Sequence, residues 1–352
     1  LLLYKWYKSS IAVVRWKGGL SSSFKVTKGM KQGSVLSPSL FNIFIDDLLK
    51  ELENNPNGIR LFDLKINSCT YADDVTVMSS TRPGLQCLID ICVHYADRWR
   101  MKFGIKKSKC ITLGKALHKF EPTWYLGNNV IQNTKEVELL GVTIDSAGGY
   151  AKHVDDRVNA CRRSIFSLTS VGMTYPGLGS DVKAHLWNTI GAPTLMYGLD
   201  SVYLKKSEIN YCKSTQGCII KKVSGFNKRS HHSNLMHALR VPVFEDLLRE
   251  NTLGLYARLF KVHSLAGDLQ TRFLASYILH GKRTKGTLID RIIEYGYSPT
   301  DILLNGHSNV GRQRHLHENG VVDSLRYLVY HENFVKPWSS EHMLAGLLTQ
   351  AF

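Results

Sequence analysis

Apolar residues in the first 150 positions recur with two different periods. Between Ser37 and Glu53 they recur every three or four residues, which predicts an amphipathic helix with Ser37 as N-cap and Pro38 in its first turn. The same period predicts a second helix over residues 84–102, ended by Gly104. Short β-prone runs predict strands at residues 11–16, 24–27, 65–70, 75–79, 110–113 and 138–144. We therefore expect an α+β fold class for this part of the chain.

Helical periodicity dominates after Gly148-Gly149. It predicts helices over residues 154–168, 181–195 and 208–223. Beyond Val241-Pro242 the pattern remains helical, with more glycine and polar interruptions. These changes predict three parts: an α+β unit over residues 1–148, a helical region over residues 149–240, and a helical C-terminal region over residues 241–352 whose role the pattern does not define.

Positive charge is concentrated in two stretches. The chain carries 45 Lys and Arg against 29 Asp and Glu, a net charge of +16. Residues 1–45 contain seven basic residues and no acid, and residues 201–230 contain seven against the single acid Glu208. Two such stretches favour a polyanionic partner such as nucleic acid and predict two walls of one groove, although two solvated faces would give the same count.

The cysteine pattern and the hydropathy of the chain indicate the cellular compartment in which the protein functions. Seven cysteines without a C-x-x-C pair are typical of a reducing compartment, so we expect an intracellular protein, in the nucleus or cytoplasm. No apolar run approaches the roughly 18 residues of a membrane span, and we expect no membrane partner. Cys212, Cys218, His231 and His237 approach zinc-finger spacing, but the first gap is too long. We therefore predict buried thiols at Cys212 and Cys218.

Asp73 and Asp74 are the most informative residues. They lie in the tight turn Tyr71-Ala72-Asp73-Asp74 between two apolar strands. Adjacent carboxylates repel each other, and a bound Mg²⁺ (or Mn²⁺) relieves that repulsion because the ion takes oxygen ligands. The alternative is ordinary turn chemistry, in which Asp residues are common.

A second motif lies about 40 residues upstream, over residues 29–42, and reads Gly-Met-Lys-Gln-Gly-Ser-Val-Leu-Ser-Pro-Ser-Leu-Phe-Asn. Together with the Tyr-Ala-Asp-Asp turn, a following helix and Lys107-Ser108, it resembles the reverse transcriptases of non-LTR (LINE-type) retrotransposons. Leu139-Leu140-Gly141-Val142 resembles the primer-grip hairpin of that family, with Leu139 in place of Tyr. Leu195-Met196-Tyr197-Gly198 resembles a later segment in its helical thumb. The resemblance covers roughly residues 1–240.

The resemblance implies a fold and a set of site residues. Residues 1–148 would form a partial polymerase palm, an antiparallel sheet with helices on one face, followed by an all-helical thumb. Asp73 and Asp74 would be the catalytic, metal-binding carboxylates. Four further residues would contact substrate: Gln32, Gly33, Tyr71 and Lys107. For three of them an alternative stays open: a structural hydrogen bond at Gln32, packing of the turn by Tyr71, and a solvated basic loop around Lys107.

The implied activity is RNA-directed DNA polymerisation, in which two Mg²⁺ ions assist transfer of dNTPs to a primer 3′-OH. Its partners would be an RNA template, a DNA primer, dNTPs and the upstream part of the same polyprotein. A polymerase palm needs a third carboxylate on an earlier strand, and this chain has no acid before Asp46. We therefore expect that aspartate to precede Leu1 and this chain to be inactive alone. The alternatives are a remnant that binds RNA or an RNA–DNA hybrid without catalysis, and a remnant without partners.

Overall fold

The computed structural model describes residues 2–27, 29–31, 33–114, 122–260, 264–281, 283–305 and 345–350. Helices and small, mainly antiparallel sheets alternate up to residue 145, and helices follow. The α+β expectation is confirmed at this level. The first strands are β1 (Ile11–Ala12), β2 (Arg15–Trp16), β3 (Gly19–Leu20), β4 (Phe24–Lys25), β5 (Ile59–Leu61), β6 (Leu64–Ile66), β7 (Ser68–Tyr71) and β8 (Asp74–Ser79). The others are β9 (Lys109–Thr112), β10 (Trp124–Leu126), β11 (Asn129–Asn133), β12 (Glu136–Leu139), β13 (Val142–Asp145) and β14 (Ala345–Gln350).

A six-stranded sheet forms the centre of the first part, in the order β10-β11-β9-β14-β8-β7. All neighbours are antiparallel except β9 and β11, which run parallel. Strand β14 lies between β8 and β9 and pairs with both, and Gln350 is in register with Asp74. The strands β8 and β9 are thus held together through a segment that is distant in sequence.

Twelve α-helices are assigned in the described residues. The first three are α1 (Leu2–Lys8), α2 (Ser37–Asn54) and α3 (Arg82–Trp99), and the next four are α4 (Ala151–Ser167), α5 (Ser180–Leu186), α6 (Ala192–Met196) and α7 (Lys206–Val223). The remaining five are α8 (His232–Ala238), α9 (Phe244–Leu259), α10 (Leu265–His280), α11 (Leu288–Glu294) and α12 (Pro299–Asn305). No helix of the described residues is both long and apolar enough to cross a lipid bilayer.

Buried apolar residues form three clusters. One lies between the six-stranded sheet and helices α2 and α3, and includes Leu48, Val77 and Leu88. A second is built from α4 to α9, up to Leu248, and a third from α9 to α12, starting at Leu253. Since burial of apolar surface is the main stabilising term, these clusters fix the relative position of the elements around them. The domain boundaries near residues 148 and 240 stay predictions.

Three predicted strands are each divided into two in the structure. The predicted strand 11–16 forms β1 and β2, which pair with β4 and β3 in separate sheets. The predicted strand 65–70 is divided at Asn67, which is buried and donates its side-chain amide to the carbonyl oxygens of Leu52 and Asn55. The predicted strand 138–144 folds into the β12–β13 hairpin, because Leu140 and Gly141 both take left-handed backbone angles, with φ of 49° and 77°. Two consecutive positive φ values define the type I′ turn that joins adjacent strands most tightly.

Helix ends also differ from the sequence prediction. Ser37 is not the N-cap of α2: Leu36 holds that place without a side-chain bond, and the Ser37 hydroxyl donates to the Lys31 carbonyl at 2.7 Å. Helix α3 ends at Arg100, in the left-handed region, rather than at Gly104. The predicted helix 181–195 is interrupted by a π turn over Trp187–Gly191. Pro193 has no N–H to donate four residues back, so the helical ladder must shift at this point.

The thiol prediction is half correct. Cys212 is buried in the second cluster, and burial raises the pKa of its thiol to about 12. Cys218, six residues later, is exposed because it falls on the opposite side of α7, so the prediction was wrong there.

Candidate active site

The two adjacent carboxylates lie in a two-residue turn between β7 and β8. Tyr71 pairs with Asp74 at the end of the ladder, so Ala72 and Asp73 form the turn itself. Ala72 takes a left-handed backbone with φ of 51°. A non-glycine residue in this region costs of the order of 1 kcal/mol, and such strain is found preferentially at functional sites.

The residues of the turn are more exposed to solvent than the strand residues that follow them. Asp73 is exposed, Asp74 is half-buried, and the Tyr71 side chain is 67% exposed. The next residues of β8, Val75 and Val77, are each only 1% exposed and belong to the cluster under α3. The carboxylates therefore project from the end of a strand that the core holds in place.

The start of α3 fixes the other end of β8. The Thr81 hydroxyl caps α3 by accepting from the Gly84 N–H at 3.1 Å, and the buried Ser79 hydroxyl donates to the Asn57 carbonyl. A Cβ at Gly84 would lie 2.5 Å from the Ser79 hydroxyl oxygen, so only glycine fits between strand and helix. Strand β8, which bears Asp74, is thus held in place from Val75 to Thr81, the N-cap of α3.

The loop before α2 carries two of the predicted substrate contacts. Gln32 lies outside the described residues. Gly33 is exposed and takes a φ of 76°, which suits glycine. The Ser37 hydroxyl and the Ser34 N–H both donate to the Lys31 carbonyl, at 2.7 and 3.3 Å. The loop is therefore closed by its own hydrogen bonds, with Gly33 facing solvent.

Lys107 and Ser108 have different surroundings. Lys107 is exposed at the end of the turn before β9, and its N–H donates to the Gly104 carbonyl at 2.9 Å. Ser108 is buried, and its hydroxyl donates to the same carbonyl at 3.0 Å. Ser108 therefore shapes the turn, and the Lys107 ammonium is available to an anion.

A second group of residues joins the β12–β13 hairpin to the helices. The Tyr197 hydroxyl donates to the Leu140 carbonyl at 2.8 Å, so two segments that lie 57 positions apart in the sequence meet here. His153 bridges the Thr143 N–H and the Tyr197 carbonyl. Sequence reasoning missed His153, although its position beside Val154 on the apolar face of α4 was the available signal.

The donors at the turn fit one divalent ion of the Mg²⁺ type. That ion usually takes one or two carboxylates and completes its shell with water and phosphate oxygens, and the turn carries the exposed carboxylate of Asp73 beside the half-buried carboxylate of Asp74. Within the described ranges, no group of three or more His, Cys, Asp or Glu side chains is placed to hold a metal. A two-ion site would therefore need a further carboxylate from elsewhere.

The two basic stretches lie largely at the surface. In the first, the described basic residues Lys5, Lys8, Arg15, Lys17, Lys25 and Lys31 are all exposed. In the second, Lys205, Lys206, Lys222, Lys228 and Arg229 are exposed. Lys213 pairs with Glu245 at 2.7 Å. Positive charge is thus available to a partner from both stretches.

Known proteins are similar in sequence to parts of this chain. Residues 2–144 match the family described as Reverse transcriptase (RNA-dependent DNA polymerase). The RNA-directed DNA polymerase from mobile element jockey of Drosophila melanogaster is 26% identical over 264 residues, 72% of this chain and 28% of the relative. The Retrovirus-related Pol polyprotein from type-2 retrotransposable element R2DM of the same fly is 32% identical over 141 residues, 37% of this chain and 13% of the relative.

A third relative, the probable RNA-directed DNA polymerase from transposon BS of Drosophila melanogaster, is 24% identical over 284 residues, 78% of this chain and 30% of the relative. The chain spans less than a third of the length of these relatives. The family match contains both the loop before α2 and the Asp73-Asp74 turn, and it confirms the resemblance inferred from those motifs. Residues 2–144 are therefore similar to reverse transcriptases, and over about three quarters of its length the chain is similar to RNA-directed DNA polymerases of mobile elements.

Proposed function

We propose that this chain is the part of an RNA-directed DNA polymerase that binds a catalytic metal ion and holds the template–primer. The observation that carries the proposal is the Asp73-Asp74 turn, whose carboxylates project from a buried strand within the reverse transcriptase match. Residues 1–148 would then be a partial palm and residues 149–240 a helical thumb, and their exposed basic side chains support this assignment.

The proposed reaction forms a bond between the primer 3′-oxygen and the α-phosphorus of a dNTP. The bond between the α-phosphorus and the oxygen that bridges it to the β-phosphorus breaks, pyrophosphate leaves, and the proton of the 3′-hydroxyl passes to solvent water. A bound Mg²⁺ supplies charge neutralisation for the phosphate oxygens. The protein would contribute mainly positioning: Asp73 and Asp74 would hold the ion, and the exposed Lys107 and Tyr71 would meet the triphosphate and the primer end.

Gln32 and Gly33 complete the proposed substrate contacts. Gly33 lets the backbone approach a nucleotide closely, since it has no Cβ and no heavy atom lies within 4 Å of the position a Cβ would take. Gln32 offers both a donor and an acceptor to a base or sugar edge. Both residues belong to the sequence motif over residues 29–42.

Metal binding tests the central element of this proposal. We expect Asp73→Asn and Asp74→Asn each to weaken Mn²⁺ binding by about tenfold or more, because an amide oxygen replaces a charged ligand. Free Mn²⁺ can be followed by electron paramagnetic resonance in a titration of the full chain. Asp97→Asn is the matched control, since Asp97 is exposed on α3, away from the turn. Equal affinity in all four proteins would contradict the proposal.

A non-catalytic, hybrid-binding function is the second candidate. Two observations favour it. In the described part of the chain, no third metal ligand joins the carboxylates of Asp73 and Asp74, and the basic side chains of both stretches are largely exposed. Binding of an RNA–DNA hybrid should weaken steeply with salt, because each neutralised phosphate releases a counterion.

Single lysines test this salt dependence. We expect Lys206→Ala to reduce the log–log slope by about one, as the loss of one phosphate contact would. Lys213→Ala is the control, because that lysine already pairs with Glu245. A slope near zero for the unmodified chain would exclude hybrid binding in either candidate function.

A further inference from the structure

Three elements meet at the buried side chain of His153. The imidazole is 0% exposed in α4, and its Nδ1 lies 3.3 Å from the Thr143 backbone nitrogen in β13. Its Nε2 lies 3.1 Å from the Tyr197 carbonyl oxygen, just after α6. One side chain therefore connects the β12–β13 hairpin to two helices of the next part of the chain.

The partners define the protonation state of the ring. The Thr143 N–H is a donor, so Nδ1 must accept, and the Tyr197 carbonyl is an acceptor, so Nε2 must carry the hydrogen. Only the neutral imidazole with its hydrogen on Nε2 makes both bonds. Protonation of Nδ1 would place two donors against each other and break the link to β13.

A second layer of contacts surrounds this link. The Tyr197 hydroxyl donates to the Leu140 carbonyl at the hairpin turn, and the Thr143 hydroxyl donates to Asp156 at 3.2 Å. The Arg157 guanidinium lies 5.4 Å from the centre of the Tyr197 ring, within cation–π range. The hairpin is thus held at its tip and along β13, and both attachments depend on residues that His153 touches.

We propose that His153 is a positioning residue that sets the placement of the β12–β13 hairpin against the helices, and thereby of the nucleic-acid strand next to the hairpin tip. The inference rests on the proposed function for the identity of that strand. The tip is suited to such a contact, since Leu140 and the Tyr197 ring are 41% and 51% exposed. In this role His153 touches neither substrate nor metal and acts through Thr143 and Tyr197.

The link should respond to pH. Burial, as the largest cause, lowers the pKa of His153, and Arg157 lowers it further. The Tyr197 carbonyl, Asp156 and, from β12, Glu138 act in the opposite direction. The unfolded imidazole gains its proton near pH 6.5 and the folded one only at lower pH, so the stabilisation is complete above pH 6.5 and is lost as pH falls below that value.

Hydrogen exchange on the full chain tests the placement directly. We expect His153→Gln, which keeps an amide N–H for the Tyr197 carbonyl but has no acceptor atom at the position of Nδ1, to speed exchange of the Thr143 amide about tenfold or more relative to the Met78 amide. The Met78 N–H donates to the Asn67 carbonyl in the sheet and is the internal control. Equal acceleration at both amides would show general destabilisation and would overturn the proposal.

Two further measurements complete the test. The free energy of unfolding of the wild type should fall more steeply between pH 7.5 and 5.5 than that of His153→Gln. His232, whose pKa burial also lowers, contributes equally to both proteins.

Hybrid affinity should fall several-fold in His153→Gln and in Tyr197→Phe, which removes only the hydroxyl bond to Leu140. Unchanged affinity in both variants would overturn the positioning role. Failure of the wild type to bind hybrid would instead refute the proposed function, and the exchange comparison would still decide the placement.

Discussion

Primer extension on an RNA template is expected to stay at background when this 352-residue chain is the only protein present, even with dNTPs and Mg²⁺. The described residues bring two carboxylates together at the turn and no third metal ligand. The residue that pairs with Asp74 on β14 is Gln350, so this position of β14 carries no carboxylate. Because two-metal chemistry stabilises both the attacking and leaving oxygens, losing one ion's ligands is expected to cost several kcal/mol of transition-state stabilisation, a factor of about 10³ or more in rate.

A gel assay with a labelled primer measures this, and Asp73→Asn is the control for contaminating polymerases. Synthesis by the wild type that Asp73→Asn abolishes would contradict the expectation. It would show that the residues outside the described ranges supply the missing ligand. Synthesis that persists in Asp73→Asn would point to a contaminant and would call for repurification.

Replacing Gly198 by alanine should destabilise the junction of hairpin and helices by about 2–4 kcal/mol. Gly198 takes a φ of 75°, and a Cβ there would lie 2.8 Å from Val142 Cγ2 and 3.0 Å from His153 Nε2. A left-handed alanine costs about 1 kcal/mol, and overpacking of a fixed neighbour adds about 1–3 kcal/mol. The free energy of unfolding, from urea denaturation followed by circular dichroism, gives the value.

Gly148→Ala separates the two contributions to that loss. Gly148 has nearly the same backbone, with φ of 74°, but no heavy atom lies within 4 Å of the added Cβ. We expect this control to lose only the backbone contribution, about 1 kcal/mol. Equal losses in the two variants would mean that the contacts of Gly198 with Val142 and His153 do not resist displacement.

Local patterns were sufficient for the elements nearest the candidate site. Helices α2 and α3 and the turn at Asp73 were predicted because the apolar period and the turn residues lie within a few positions of each other. The type I′ turn at Leu140 was not predicted, because a leucine within an apolar run carries no signal for a left-handed backbone. The role of Asn67 depends on carbonyls of the α2 end, which sequence spacing does not reveal.

Long-range contacts account for what could not be predicted at the site. The link from His153 to Tyr197 joins residues 44 positions apart, and its meaning depends on how α4 and α6 pack. Likewise, the pairing of β8 with β14 brings residues 74 and 350 together, and no periodicity connects them. The residue types at the Asp73-Asp74 turn were evident from the sequence, whereas the groups that hold the surrounding elements in place were not.

The position of β14 within the sheet also sets an order of events for the newly made chain. Strands β7 and β8 can pair as soon as residue 79 has left the ribosome, but the partner on the other edge of β8 arrives only with residues 345–350. Pairing between such distant segments is intrinsically slow, and until it happens β8 and β9 present open edges to other chains. The sheet can therefore be completed only after residue 350 has been made, and in the interval before that step association with other nascent chains, or protection by chaperones, competes with folding.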